Sequence, residues 1–291
     1  MLSEVPIKII RVFLNWSDPE TTRRIIESEF NLFSVPGYKK TFDLTSGEDY
    51  THAIIINTMM PKLYMPKKNV IGLAWEPNPL LQITPKFVEY AYTHIHRYLI
   101  GQCDSRLPSP PFEEGYAFLS CNPMQIIIPP KTKRCSIIFS QKSFMEGHMY
   151  RHMLVDAILK TDLPVDIWGR GCNLLSQLTD NRIKGDFVQN SVAPYEDYDF
   201  HICIENTSLN HYFSEKIVNA LLSECTPIYL GCKNIDAYFP EQVLKLNGDI
   251  ENDIAIIREC LENTPQYKKH VDKEEIYRKV NPFFHLDKLF G

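Results

Sequence analysis

The sequence predicts an α/β protein of two domains, each a parallel sheet covered by helices. Three observations carry this. Short apolar runs alternate with helical segments, the alternation breaks at a proline pair followed by a basic cluster, and beyond that break it starts again. The 291 residues fit two domains of about 100–150 residues each, and 44% apolar residues suits packed cores.

Taken in order, KIIRVFL (8–14) reads as a strand, and Ser17-Asp18-Pro19-Glu20 has the Ser-x-x-Glu form of a capping box that opens a helix. Strand candidates HAIIIN (52–57) and NVIGLAW (69–75) follow. Next come a helix opened by Thr84-Pro85, the short run RYLIG (97–101) and the apolar segment MQIIIPP (124–130). Pro129-Pro130 disfavours both ladder and helix, and Lys131-Thr132-Lys133-Arg134 seeks water, so the domain boundary is placed between 1–130 and 131–270.

The second cycle runs through CSIIFSQ (135–141), a helix over about 147–160, VDIWG (165–169) and DFHICIEN (199–206). A helix after Glu215-Lys216, then TPIYLG (226–231), VLKL (243–246) and a helical region at 249–262 complete a second Rossmann-like unit. A tail at 271–291 pairs a polar helix with an aromatic end, and Phe283, Phe284 and Phe290 need a partner surface.

A net charge of −5 and a pI near 6.0 give no general attraction to nucleic acid or to an anionic membrane. No run of about 20 apolar residues occurs, and the first residues lack a basic stretch and a small-residue cleavage site. The chain therefore reads as soluble and cytoplasmic. Eight cysteines without a CxxC pair read as reduced, mostly buried thiols. Asn15-Trp16-Ser17 and Asn206-Thr207-Ser208 match the glycosylation pattern, which is moot without secretion. His148 and His152 stand four apart but lack a third ligand at metal spacing, so no metal is expected. His94 and His96, if extended, would alternate faces.

The chemistry concentrates at 205–216, Glu-Asn-Thr-Ser-Leu-Asn-His-Tyr-Phe-Ser-Glu-Lys, between a buried strand and a helix start. Open α/β sheets bind ligands at such strand ends, and the unpaired N–H groups of a first helical turn suit a phosphate. Lys216 adds a mobile charge and Glu215 a carboxylate for ribose hydroxyls. Asn206 and Tyr212 either position a donor or serve the fold, as a turn cap and a core ring.

Arg151 offers a planar fork for a diphosphate, or is a solvated helix-face residue; Arg170 and Lys184 compete for the same role. Gly169 and Gly171 permit close approach to a ligand, or simply make a turn. Glu76 ends the apolar run 69–75, where a carboxylate faces a ligand crevice or an open loop.

The stretch resembles the C-terminal signature of the alpha-1,3/1,4-fucosyltransferases, in which Glu-Asn is followed by Tyr six residues after the Asn and by Glu-Lys at nine and ten. Asn206, Tyr212, Glu215 and Lys216 fall at that spacing, and the likeness continues through Thr226–Gly231 and Tyr238-Phe239-Pro240. Arg151, VDIWG and Lys184 keep the family order, and Trp75-Glu76-Pro77 looks like its Glu-Ser-Pro element, although here Glu-Pro-Asn stands instead. Residues 1–60 carry no match.

The resemblance implies the GT-B fold, two Rossmann-like domains facing across a cleft, with the tail crossing back to the first. It implies an inverting, metal-independent transfer of fucose from GDP-fucose to a glycan hydroxyl. Glu76 would be the general base, Arg151, Lys216 and the helix starting near Ser214 would stabilise the leaving diphosphate, and Glu215 would hold the ribose. The short, unanchored form resembles bacterial and large-virus members. A donor such as UDP-xylose, or a non-catalytic glycan-binding role, are the competing readings. Acceptor choice is expected in a loop around 106–116, where prolines and acidic residues gather.

Overall fold

The alternating apolar runs fold into two six-stranded sheets in which every neighbouring pair is parallel. The computed structural model describes residues 7–32, 40–118, 128–175 and 179–291. Its contacts group the chain into one unit of residues 1–123 with 277–291 and a second of residues 124–276. Residues 124–127 of the apolar run before the proline pair, and Cys121, lie outside the described residues.

The first unit comprises β1 (Lys8–Phe13), α1 (Pro19–Leu32), β2 (Phe42–Leu44), β3 (His52–Ile56), β4 (Val70–Leu73), α2 (Asn78–Leu81), α3 (Pro85–His94), β5 (Arg97–Ile100) and β6 (Phe112–Glu114). Its sheet order is β2-β1-β3-β4-β5-β6, so winding reverses between β1 and β3. Thr84 caps α3 by accepting from the Phe87 N–H at 3.2 Å, as the Thr-Pro signal foretells.

At α1 the cap is Asp18 rather than the expected Ser17. The Asp18 carboxylate accepts from the Thr21 N–H at 3.0 Å, while the Ser17 hydroxyl lies 2.7 Å from Thr22 Oγ1. With Pro19 opening the helix, Asp18 is the residue immediately outside it, and it is the carboxylate there that reaches the free N–H groups.

In the second unit stand β7 (Lys133–Ile138), α4 (Glu146–Leu159), β8 (Val165–Trp168), β9 (Ile183–Gly185), β10 (Tyr198–Ile204), α5 (Glu215–Leu222), β11 (Thr226–Leu230), β12 (Leu244–Lys245), α6 (Ile250–Glu262) and α7 (Thr264–Tyr267). Its order, β12-β11-β10-β7-β8-β9, reverses between β7 and β10. All seven residues of β10 are buried, as a central parallel strand covered on both faces requires. Ile137, Leu154, Val165, Ile202, Ile228 and Ile257 form the centre of this unit's core.

The chain continues into α8 (Lys273–Val280), and α9 (Leu286–Phe290) ends it. Residues from Tyr277 onward pack with the first unit: Phe283 stacks on Phe42 at 4.9 Å, Phe284 lies 5.0 Å from Phe30, and Phe290 meets His52 at 4.8 Å. The Tyr277 hydroxyl donates to the Glu29 carbonyl at 2.7 Å.

Strands β2, β6 and β9 have no counterpart in the apolar pattern. Each has three residues at a sheet edge, and β6 (FEE) carries acidic residues, of which Glu113 pairs with Arg97 across the strand pair at 2.6 Å. The expected loop at 106–116 is therefore in part an edge strand, with Phe112 buried. His94 and His96 do not alternate along a strand. His94 ends α3 with its ring stacked on Tyr90 at 4.5 Å.

Candidate functional site

The second sheet reverses its winding between β7 and β10, and doubly wound sheets take their ligands beyond the carboxyl ends of the strands at such a point. Two helices, α4 after β7 and α5 after β10, begin there. The N–H groups of their first turns give both a partial positive charge.

Glu205 leaves β10 fully buried, and a buried carboxylate needs partners. Its Oε1 accepts from the Ser214 N–H at 2.8 Å and its Oε2 from the Ser214 hydroxyl at 2.6 Å, which closes the loop 205–214 on itself. Ser214 is the N-cap of α5. The Lys216 ammonium sits 2.9 Å from the Ser214 hydroxyl, 3.2 Å from Glu215 Oε1 and 3.6 Å from Glu205 Oε2. Desolvation works against the Lys216 charge, but Glu215 and Glu205 outweigh it and hold the ammonium above its ordinary range. For Glu215 desolvation pushes upward, yet Lys216 wins and the carboxyl is held below its usual value; this side chain is 53% exposed.

The N-terminus of α4 is fastened to the same loop. Gly147 N–H donates to the Asn206 carbonyl at 3.1 Å, and Glu146 accepts from the Thr207 hydroxyl at 2.7 Å and the Ser208 N–H at 3.1 Å. A Cβ on Gly147 would lie 1.8 Å from the Glu205 carbonyl oxygen, a backbone atom that cannot step aside. Gly147→Ala is therefore expected to destabilise the fold by about 1–3 kcal/mol, since overpacking displaces backbone. A denaturant midpoint lowered at unchanged slope checks it.

One helical turn on, Arg151 is buried and donates to the Ile204 carbonyl. Burial draws its pKa down, Glu205 and Glu215 oppose that pull, and the guanidinium remains a cation. The structure thus rejects the solvated-helix-face reading of Arg151. His148 beside it is buried, and its Nδ1 has no hydrogen-bond partner among the described residues. Burial and the Arg151 charge bring its pKa to about 4, so it is neutral at pH 7.

Asn206 is half-buried at the end of β10, and Tyr212 is buried within the loop's own packing. Arg151, Asn206, Tyr212, Ser214, Glu215 and Lys216 thus lie on the segments that follow β7 and β10, the two strands at the winding reversal. Arg170 and Lys184 do not join them. Arg170 is 71% exposed and 3.4 Å from Asp186, while Lys184 lies on the edge strand β9 with Asp166 at 3.4 Å and the Asn181 carbonyl at 2.6 Å. Gly169 and Gly171 approach the protein's own strand rather than an open space: their Cβ positions would fall 2.4 and 2.8 Å from the Phe139 carbonyl oxygen.

Glu76 belongs to the first unit, half-buried just beyond β4. Asn57, at the end of β3, accepts on Oδ1 from the Trp75 N–H at 2.9 Å and the Glu76 N–H at 3.2 Å, so the main chain at Glu76 is held from the neighbouring strand. Sequence reasoning missed Asn57, Glu146, Gly147 and the buried role of Glu205, and weighed His148 only as a metal ligand. The signal for Glu205 was present, an acid directly after the apolar run ICI at 202–204.

No group of three or more His, Cys, Asp or Glu side chains able to hold a metal occurs among the described residues. His152 Nε2 lies 3.0 Å from the Lys142 carbonyl, a protein contact of its own. The seven described cysteines are free thiols, six of them buried.

Residues 128–281, more than half of the chain, match the C-terminal region of glycosyltransferase family 10 (fucosyltransferase). The chain belongs to this family. The match spans every second-unit residue named above and leaves Glu76 outside it. A protein of Acanthamoeba polyphaga mimivirus named as a putative fucosyltransferase is 26% identical over 168 residues, 56% of this chain and 26% of that protein. A fucosyltransferase-like protein of Arabidopsis thaliana is 28% identical over 113 residues, 39% of this chain and 20% of that one. The matched regions thus span about a quarter and a fifth of the length of these two relatives. An alpha1,3-fucosyltransferase crystallised with GDP superposes with a TM-score of 0.53 at 13% identity, covering 100% of this chain and 94% of that one. The fold is that of the GT-B glycosyltransferases, with two parallel-sheet units. None of the described helices in this family 10 chain is long and apolar enough to cross a membrane.

Proposed function

We propose that this family 10 chain carries out an inverting, metal-independent transfer of fucose from GDP-fucose to a glycan hydroxyl. The observation that carries the reading is the convergence of two helix N-termini, the buried Arg151 and the Lys216 ammonium at the winding reversal of the second sheet. A departing nucleoside diphosphate gathers negative charge, and fixed positive groups lower that barrier most because they need no reorganisation. The GDP in the superposable alpha1,3-fucosyltransferase is a ligand of the same chemistry.

In this reading Lys216 and Arg151 meet the pyrophosphate, Asn206 orients the donor and the exposed Glu215 carboxylate accepts from ribose hydroxyls. Ser214 and Glu205 hold Lys216 in place. Tyr212, being buried, supports the loop that carries these donor groups. Arg170 and Lys184 are secondary candidates, since their carboxylate partners already neutralise them. Glu76 takes the proton of the acceptor hydroxyl as that oxygen attacks the anomeric carbon from the face opposite the leaving phosphate. A single displacement of this kind inverts the anomeric centre.

The phosphate groups do not read the base, so the donor is tested directly. GDP is expected to raise the melting temperature markedly and UDP to leave it nearly unchanged, because a ligand selective for the folded state stabilises it by mass action, about 2.7 kcal/mol at a hundredfold excess over Kd. Equal or greater stabilisation by UDP would overturn the assignment to GDP-fucose in favour of a donor such as UDP-xylose. If neither nucleotide stabilises the chain, the transferase reading falls.

A further inference from the structure

The first sheet has its own winding reversal, between β1 and β3, and Glu76 is the one residue near it given a catalytic role above. Three adjacent parallel strands end there: β1 runs out into Trp16, β3 into Asn57, and β4 into Trp75 and Glu76. The Trp16 and Trp75 rings lie 5.9 Å apart at 44°. Trp75 is fixed at both ends, its main-chain N–H on Asn57 Oδ1 at 2.9 Å and its indole Nε1 donating to the Phe118 carbonyl at 2.7 Å. Trp16 is 59% exposed, in the loop between β1 and α1.

A large ring held open to water beside an anchored one costs the fold solvent-exposed apolar area, and such a patch at a switch point marks a ligand surface. We propose that Trp16 and Trp75 form an aromatic platform on which the acceptor's pyranose ring stacks through its apolar C–H face. This assignment rests on the transferase reading and deepens it. A pyranose fits the platform because it combines a C–H face for the indoles with hydroxyls that need polar partners, and Glu76 is the next residue in the chain after Trp75. An extended apolar peptide would find no such carboxylate useful. Acceptor choice thereby moves from the 106–116 segment, part of which is the edge strand β6, to the ends of β1 and β4.

The test uses the full chain with a panel of methyl pyranosides (galactoside, glucoside, N-acetylglucosaminide and mannoside), read by saturation-transfer NMR and indole emission. At least one is expected to bind. Trp16→Ala should weaken that binding about tenfold, the range of one aromatic contact, while Trp16→Phe keeps most of it. Because Trp16 is exposed, the melting temperature and GDP stabilisation should be those of the parent chain. A wild-type chain that binds no pyranoside, or a Trp16→Ala variant that binds as well as the parent, overturns the platform. GDP stabilisation, measured on the same samples, separates the two ideas: its loss in the wild type removes the transferase reading whatever the sugars do.

Discussion

Lys216→Met is expected to lower fucosyl transfer by about 10²–10³-fold and to erase most of the stabilisation by GDP, the scale seen when one preorganised charge-stabilising donor is removed from an active site. The ammonium is held by Ser214, Glu215 and Glu205, so its position is set before any donor arrives. Binding therefore requires no ordering of a long side chain. Methionine keeps the length and the apolar stem but removes the charge. The same change leaves the buried Glu205 with the Ser214 N–H and hydroxyl as its remaining described partners, and a loss of stability of about 1–3 kcal/mol should accompany it.

That second effect provides the control. In the double variant Lys216→Met with Glu205→Gln, the uncompensated acid is gone, so stability should recover by more than the sum of the single changes predicts, whereas transfer should not recover. Coupling in stability without coupling in transfer would show that Lys216 acts on the donor and not merely on the loop. If transfer returned along with stability, Lys216 would be a structural residue and the diphosphate assignment would fail.

What the sequence disclosed follows from which forces act locally. The central strands were legible because burial on both faces writes an unbroken apolar run, as in AIII at 53–56, and α5 because its apolar stripe follows a polar loop. The edge strands β2, β6 and β9 were not, since three residues with charged side chains give no period. The candidate site was visible where its residues sit in one stretch, 205–216. It was hidden where the chain returns from elsewhere: Gly147 matters only because α4 presses on the end of β10, and Asn57 only because β3 lies beside β4. Arg151 illustrates the same limit from the other side. A helical arginine looks solvated in sequence, and its burial is decided by Ile204, over fifty positions away. Gly169 and Gly171 misled for the converse reason, because the surface they approach is the protein's own β7 and its following residue.

Glu76→Gln should reduce the turnover number by about 10²–10⁴-fold, the contribution of a well-placed general base, with little change in stabilisation by GDP. The substitution keeps size and hydrogen-bonding shape, and the contacts that fix this turn, from the Trp75 and Glu76 N–H groups to Asn57 Oδ1, belong to the main chain and survive it. The residues proposed to meet the donor lie on the second unit, so affinity for the nucleotide has no reason to follow. A base that acts only as the acceptor oxygen attacks contributes in the transition state and not in the ground state, which is why the loss falls on kcat rather than on KM for the donor. A variant that keeps the parent turnover would place the base elsewhere, and a variant that loses GDP stabilisation as well would mean that position 76 serves the donor.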